Sequence, residues 1–167
     1  MVKQSETPKL TIELVPSTAW GDNLRSALTK AEWDVLRKQA YQKAGYCCEV
    51  CGGKGHKWPV EAHEIWEFDD NTRIQTLKGL MALCPACHAV KHMGRSLAVG
   101  KGNQTGTHLA RVNGWAMADV WSYYDRQMEI WEERSKHSWS LDISWAIEKL
   151  DEMSFIESST GYFELGF

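Results

Sequence analysis

No stretch of this sequence stays apolar for the roughly 20 residues that a membrane-spanning helix requires, and the opening "MVKQSETPKL" holds no apolar run of leader length. The chain is therefore expected to be soluble and intracellular, in the cytoplasm, with no membrane partner. It also shows no internal repeat and no low-complexity segment, so neither a repeat array nor a disordered tract is expected. What it does have is material for a core. Of its 167 residues 43% are apolar, which argues against disorder, and a chain of this length can fold as one domain without disulfides. Nine tryptophans are many for the length and imply heavy aromatic packing or stacking surfaces.

The net charge of −3 hides an uneven spread. Leu36 to Arg111 carries 11 Lys/Arg against 6 Asp/Glu, whereas Val112 to Phe167 carries 4 against 11. A basic middle permits nucleic-acid contact without requiring it, and the acidic tail offers a surface to a protein partner.

Local patterns predict an α+β chain. In "KLTIELVP" Leu10, Ile12 and Leu14 alternate, which reads as a short strand stopped by Pro16. "TKAEWDVLRKQAYQKAG" opens with Thr29 and has Glu32 three residues on, a capping box. Its Trp33, Leu36, Ala40, Tyr41 and Ala44 share one helical face, and Gly45 ends the helix. "VEAHEIWEF" and "RIQTLKGLMAL" read as strands joined by the turn "DDNT". "PACHAVKHMG" reads as a helix opened by Pro85 and closed by Gly94. Residues 94–106, "GRSLAVGKGNQTG", predict a mobile glycine-rich loop. A long helix from Ala116 to Ser135 is striped by Val120, Tyr124, Met128 and Trp131. "SWSLDISW" suggests a short strand, Ala146 to Met153 a last helix, and "TGYFELGF" a terminal strand or tail. The single domain divides into an N-terminal strand and helix (1–44), a central unit (45–98) and a mostly helical extension (99–167).

Cys48 and Cys51 form one CxxC pair, and Cys84 and Cys87 a second. Two such pairs in a chain not expected to form disulfides predict two knuckles sharing a structural zinc ion. Cys47 is then a packing residue or a spare thiol. His88 and His92 are four apart on the helix after the second pair, so their rings share a face. His63 lies on the preceding strand. Three imidazoles from a strand and a helix can hold one divalent ion and leave positions open for phosphate oxygens and water. His56, His108 and His137 fall outside this pattern. "HEIWE" is not a metalloprotease helix, because position 67 is Glu67 where a histidine is needed.

The order CxxC, His-Glu on a strand, then CxxCHxxxH is carried by "CEVCGG", "VEAHEIWEF" and "LCPACHAVKH". It resembles the HNH nucleases of the ββα-metal class in their four-cysteine form, over about residues 45 to 95. The resemblance implies a ββα-metal finger with a two-knuckle structural Zn2+ site, flanked by N- and C-terminal helical segments. It implies hydrolysis of DNA phosphodiesters with a divalent ion such as Mg2+, Mn2+ or Ni2+. Carried over by position, His63 is a metal ligand, Glu64 the general base, and His88 and His92 the ligands from the helix. Two departures stand out. Glu64 occupies a place where histidine is usual, and the family's asparagine falls near Gly79, with Asn71 in the earlier turn. An alternative register makes His63 the base and leaves the ion to His88 and His92.

Strand alternation puts Val60, Ala62 and Glu64 on one face and Glu61, His63 and Ile65 on the other. His63 and Glu64 can then share a site only where the strand bends or ends. Otherwise Glu64 faces solvent and His63 functions alone. Lys54, Lys57, Arg73, Lys78, Lys91, Arg95 and Lys101 are candidate contacts to a DNA backbone. Trp33, Trp121 and Trp131 are expected in the core and Trp66 beneath the site. Trp20, Trp58, Trp115, Trp139 and Trp145 are open between core packing and base stacking. Two functions follow. One is a metal-dependent DNA endonuclease, cutting one strand or both. The other is a zinc-stabilised module that binds DNA or a protein without cutting.

Overall fold

The computed structural model describes residues 7–160, a mixed α+β arrangement of seven helices and a three-stranded sheet. An antiparallel hairpin lies at its centre, β1 (Glu61–Asp69) against β2 (Ile74–Leu83). In the turn between them Asp69 Oδ1 accepts from the backbone N–H groups of Asn71 and Thr72 at 2.8 and 3.2 Å. The register is regular from the pair Glu61 and Leu83 to the pair Ile65 and Gly79. Trp66 then faces Leu77, so Lys78 is an extra residue in β2, a bulge that bends the hairpin. β3 (Ser140–Asp142) joins the start of β2 in parallel, which leaves β1 on the edge of the sheet.

Before the sheet come α1 (Leu24–Ala27) and α2 (Lys30–Lys43), each opened by a capping box, Asn23 with Ser26 and Thr29 with Glu32. α2 ends where Gly45 takes a left-handed φ of 60°, which suits glycine best. After β2, Cys84 caps α3 (Pro85–Lys91), with Pro85 in the first turn, where a missing N–H costs nothing. The chain leaves helical angles at His92 and resumes as α4 (Met93–Ala98), α5 (Gly102–Asn113), α6 (Met117–Arg134) and α7 (Ser144–Thr160). No helix among the described residues is long and apolar enough to cross a membrane.

Several sequence expectations change. Residues 9–16 form no strand. Leu10 and Ile12 are buried, as their alternation predicts, but the segment runs beside the helices instead of joining the sheet. Its backbone is satisfied elsewhere: the Asn113 side chain bonds both N–H and C=O of Leu10, and Glu13 N donates to the Lys91 carbonyl. Gly94 does not end a helix; it lies inside α4. Residues 94–106 are no mobile loop, because α4 and α5 occupy most of them. Gly106 serves close packing there, with Met117 and Trp121 atoms 3.3 and 3.4 Å from where a Cβ would stand. α7 starts before Ala146 and runs past Met153. The remainder of "TGYFELGF" from Gly161 lies outside the described residues.

Two cores flank the hairpin. The larger gathers Leu10, Ile12, Leu83, Val90, Met93, Leu109 and Val120 around three cysteines. The smaller packs Leu24, Leu36, Leu77 and Ala146 with Trp33, Trp66 and Trp145. Each fully buried aliphatic side chain contributes about 1.5–3 kcal/mol. Trp33, Trp121 and Trp131 are only half-buried, and Trp139 alone among the nine tryptophans is buried.

Candidate metal centre

The first knuckle is a tight turn. Cys48 N donates to the Gly53 carbonyl and Gly52 N to that of Cys48, both at 2.9 Å. Glu49 fastens this turn to the end of β2: its N–H donates to the Ala82 carbonyl at 2.9 Å and its Oε2 accepts from Ala82 N at 2.6 Å. The second knuckle is the start of α3. The sulfurs of Cys48, Cys51, Cys84 and Cys87 thus lie within 4.8 Å of one another, with Cys51 Sγ 3.6 Å from Cys84 Sγ. Thiolates on a tetrahedral zinc, at a Zn–S distance of about 2.3 Å, stand roughly 3.8 Å apart. The set can hold a zinc ion. Its electrostatics agree. Burial pushes Cys84 and Cys87 upward, and the sulfurs around them add to it, so four thiolates cannot share this space without a cation. Burial also acts on Cys48, but the backbone N–H groups of Cys51, Cys84 and Val50 outweigh it and bring its pKa to about 7. Cys47 stands outside the cluster.

A histidine outside the expected pattern braces this cluster. His108, on α5, sets Nε2 3.1 Å from Cys87 Sγ, and Arg111 reaches its Nδ1 at 2.9 Å. Arginine only donates, so Nδ1 accepts and Nε2 carries the proton toward the sulfur.

His63, His88 and His92 form the second group, each with a ring nitrogen within 4.8 Å of the others'. The last turn of α3 persists through the break in the helix, because His92 N donates to the His88 carbonyl at 3.2 Å. The i, i+4 relation therefore survives. His88 Nδ1 meets Glu61 Oε2 at 2.6 Å, which leaves Nε2 facing His92 Nε2 at 3.1 Å. His63 Nε2 meets Glu13 Oε2 at 2.6 Å, and the other Glu13 oxygen accepts from Lys91 Nζ at 2.7 Å. Carboxylates of this kind fix the tautomer of a ligating ring and raise its basicity. Two imidazole nitrogens bound to one ion at about 2.1 Å stand roughly 3.0–3.4 Å apart, and the His88–His92 spacing fits. Desolvation, then the other two rings, brings the His92 pKa to about 4. Desolvation also lowers His88, against the pull of Glu61. Neutral rings are the form that ligates. Burial works to raise Glu13, but His63 and Lys91 outweigh it and hold it low.

Glu64 shares a cavity with His63 although the strand does not bend between them. It sits opposite Leu80 within the regular register, on the face away from His63, and the bulge comes only later. Yet it does not face solvent. It is half-buried, and its Oε2 accepts from the Trp66 indole N–H at 2.9 Å. Burial raises its pKa against that bond and the Arg25 charge. Because β1 is the edge strand, residues from both of its faces border one cavity of about 780 Å³, His63, His88 and His92 together with Glu64. Gly79 lies nearest Trp145 and Ile65. Asn23 borders the cavity, but its side chain caps α1.

Lys91 is not a surface cation. It is 6% exposed and held by Thr11 and Glu13, both at 2.7 Å, so it cannot meet DNA. Lys54, Lys57, Lys78, Arg95 and Lys101 are exposed and Arg73 partly so. Neither a protein family, nor a curated protein, nor a solved structure matches the chain.

Proposed function

We propose that the chain is a metal-dependent DNA endonuclease of the HNH type, in which β1, β2 and α3 act as a ββα-metal finger tied off by the four-cysteine zinc site. The observation that carries this reading is the three-imidazole group opening on a cavity, with two of its rings backed by carboxylates. His63, His88 and His92 would hold a divalent ion, which when bound would supply Lewis-acid polarisation of a phosphoryl oxygen. Glu13 and Glu61 hold the His63 and His88 rings in their ligating tautomers. Glu64, which borders the same cavity, takes the proton of the attacking water. Arg95, exposed at the cavity border, contacts a backbone phosphate and positions the strand without reading its sequence.

The placing of Glu64 across the strand from His63 favours a second reading, a module of the same shape that binds DNA or a protein partner without cutting. Supercoiled plasmid incubated with the protein and Mg2+, Mn2+ or Ni2+ separates the two. Nicking or linearisation by the wild type and none by His63→Ala supports hydrolysis. DNA bound but left intact with all three ions supports the binding module.

A further inference from the structure

The cavity lining includes residues to which the proposed hydrolysis gives no role, Trp20 and Gln75 among them. Four of the nine tryptophans border it: Trp20, Trp33, Trp66 and Trp131. Trp20 is 65% exposed, an unfavourable placing for so large an apolar ring. It is nonetheless fixed. Its ring stacks on Trp131 with centroids 6.5 Å apart and planes at 28°, and both indole N–H groups donate to the Val15 carbonyl, at 2.8 and 2.9 Å. An open aromatic face held this way is a stacking platform whose ordering cost is already met.

Gln75 borders the same cavity and is 1% exposed. Its amide nitrogen donates to the Asp22 carbonyl over a long 3.4 Å, and its Oε1 has no hydrogen-bond partner among the described residues. Turning the amide over would set two oxygens against each other, so Oε1 remains the orphan. Buried acceptors without a donor are rare in folded proteins. Asp22 is two residues from Trp20, so one short segment ties the platform to this acceptor.

We propose that the part of the cavity bordered by Trp20 and Gln75 is a nucleobase subsite, in which an unpaired base stacks on Trp20 and its exocyclic amino group donates to Gln75 Oε1, while the adjoining phosphate lies at the three imidazoles. The inference rests on the phosphodiester reading and narrows its substrate to single-stranded or locally opened DNA. The cavity has the size of a small-molecule site. It accepts one base drawn out of its stack, whereas in a duplex both faces of that base are covered. Cytosine and adenine carry the amino donor and thymine does not.

Anisotropy titrations of labelled oligo-dC, oligo-dT and a mixed-sequence duplex test this. They use the full zinc-loaded chain with no further divalent ion, so that nothing is cut. Oligo-dC binds at least about 10-fold more tightly than duplex, and Trp20→Ala lowers its affinity about 5- to 100-fold, the worth of one base–aromatic stack. Trp20→Phe recovers most of that loss. Gln75→Leu brings oligo-dC down to the oligo-dT level, a change of about 2- to 10-fold for one hydrogen bond. Zinc content per chain confirms that each variant is folded. Equal binding of duplex and single strand, unmoved by Trp20→Ala, overturns the subsite whatever the plasmid assay gives. Trp20-dependent preference for single strands without cleavage by any added ion keeps the subsite and overturns the hydrolase reading instead.

Discussion

The two candidate metal-binding groups meet within α3, where Cys87 and His88 are neighbours, yet they are built in opposite ways. Successive helical residues point about 100° apart, so one helix serves both. The sulfur group supplies four ligands, three of them buried in the larger core, and leans on backbone N–H groups and His108. The imidazole group supplies three, borders a cavity, and leans on the carboxylates of Glu13 and Glu61. Four ligands saturate a tetrahedral ion; three leave it open to substrate. On the proposed reading, this difference in ligand count and surroundings would divide a folding device from a reaction centre.

The sharpest way to break this contrast is Cys84→Ser. A saturated zinc site contributes on the order of 10 kcal/mol to folding, so the variant loses its zinc and its cooperative melting transition, read by metal analysis and circular dichroism. Retention of both would mean that the closed site is not structural. On the open side, Glu64→Gln lowers cleavage by about 10²- to 10⁴-fold, the usual worth of a general base, with metal affinity unchanged. If it cuts at the wild-type rate while His63→Ala binds the ion normally and is inactive, His63 is the base.

A smaller effect sharpens the role of the carboxylates. Glu13→Gln weakens binding of the exchangeable ion by about 10- to 100-fold, as loss of a ring-orienting partner does elsewhere. Calorimetric titration reads this, and an unchanged affinity would reduce Glu13 to a partner of Lys91. The smallest effect lies away from both groups. Asp70 receives two 2.8 Å bonds from Arg134, which ties α6 to the hairpin turn. That hydrogen bond, then the Arg134 charge, holds its carboxyl below the usual range. A lowered folded pKa gives stability that is present above the unfolded value of about 3.9 and lost as pH falls through the folded one. Screening at this exposed site limits it to about 0.5 kcal/mol. Asp70→Asn therefore destabilises slightly at pH 7 and not at pH 2, and an equal loss at both would point to packing.

What the sequence disclosed follows the range of the interactions involved. CxxC spacing, the i, i+4 histidines, the Thr29–Glu32 capping box and the alternation around His63 are local, and each is visible in a window of a few residues. Glu61 is within reach too, since alternation puts it on the His63 face. Glu13 is not: it lies 50 residues before His63, in a segment whose alternation suggests a strand that does not form. His108 and Arg111 are hidden for a similar reason, because the glycines in 94–106 look like a loop until one of them, Gly106, packs against α6. Glu64 is only half legible in the sequence. The period-2 rule gives its face correctly, but only the sheet order, with β1 on the edge, brings that face to the cavity.

The most direct measurement counts ions. Native mass spectrometry of protein equilibrated with Zn2+ and Mn2+, before and after brief exposure to EDTA, is run beside plasmid nicking for the wild type and His88→Ala. The closed-and-open arrangement predicts two ions on the wild type, one resisting the chelator and one removed, with nicking lost and restored along with the second. His88→Ala should keep the resistant zinc and lose both the exchangeable ion and the cleavage. A wild-type chain that holds a single ion, or a His88→Ala chain that sheds the resistant zinc, would contradict it.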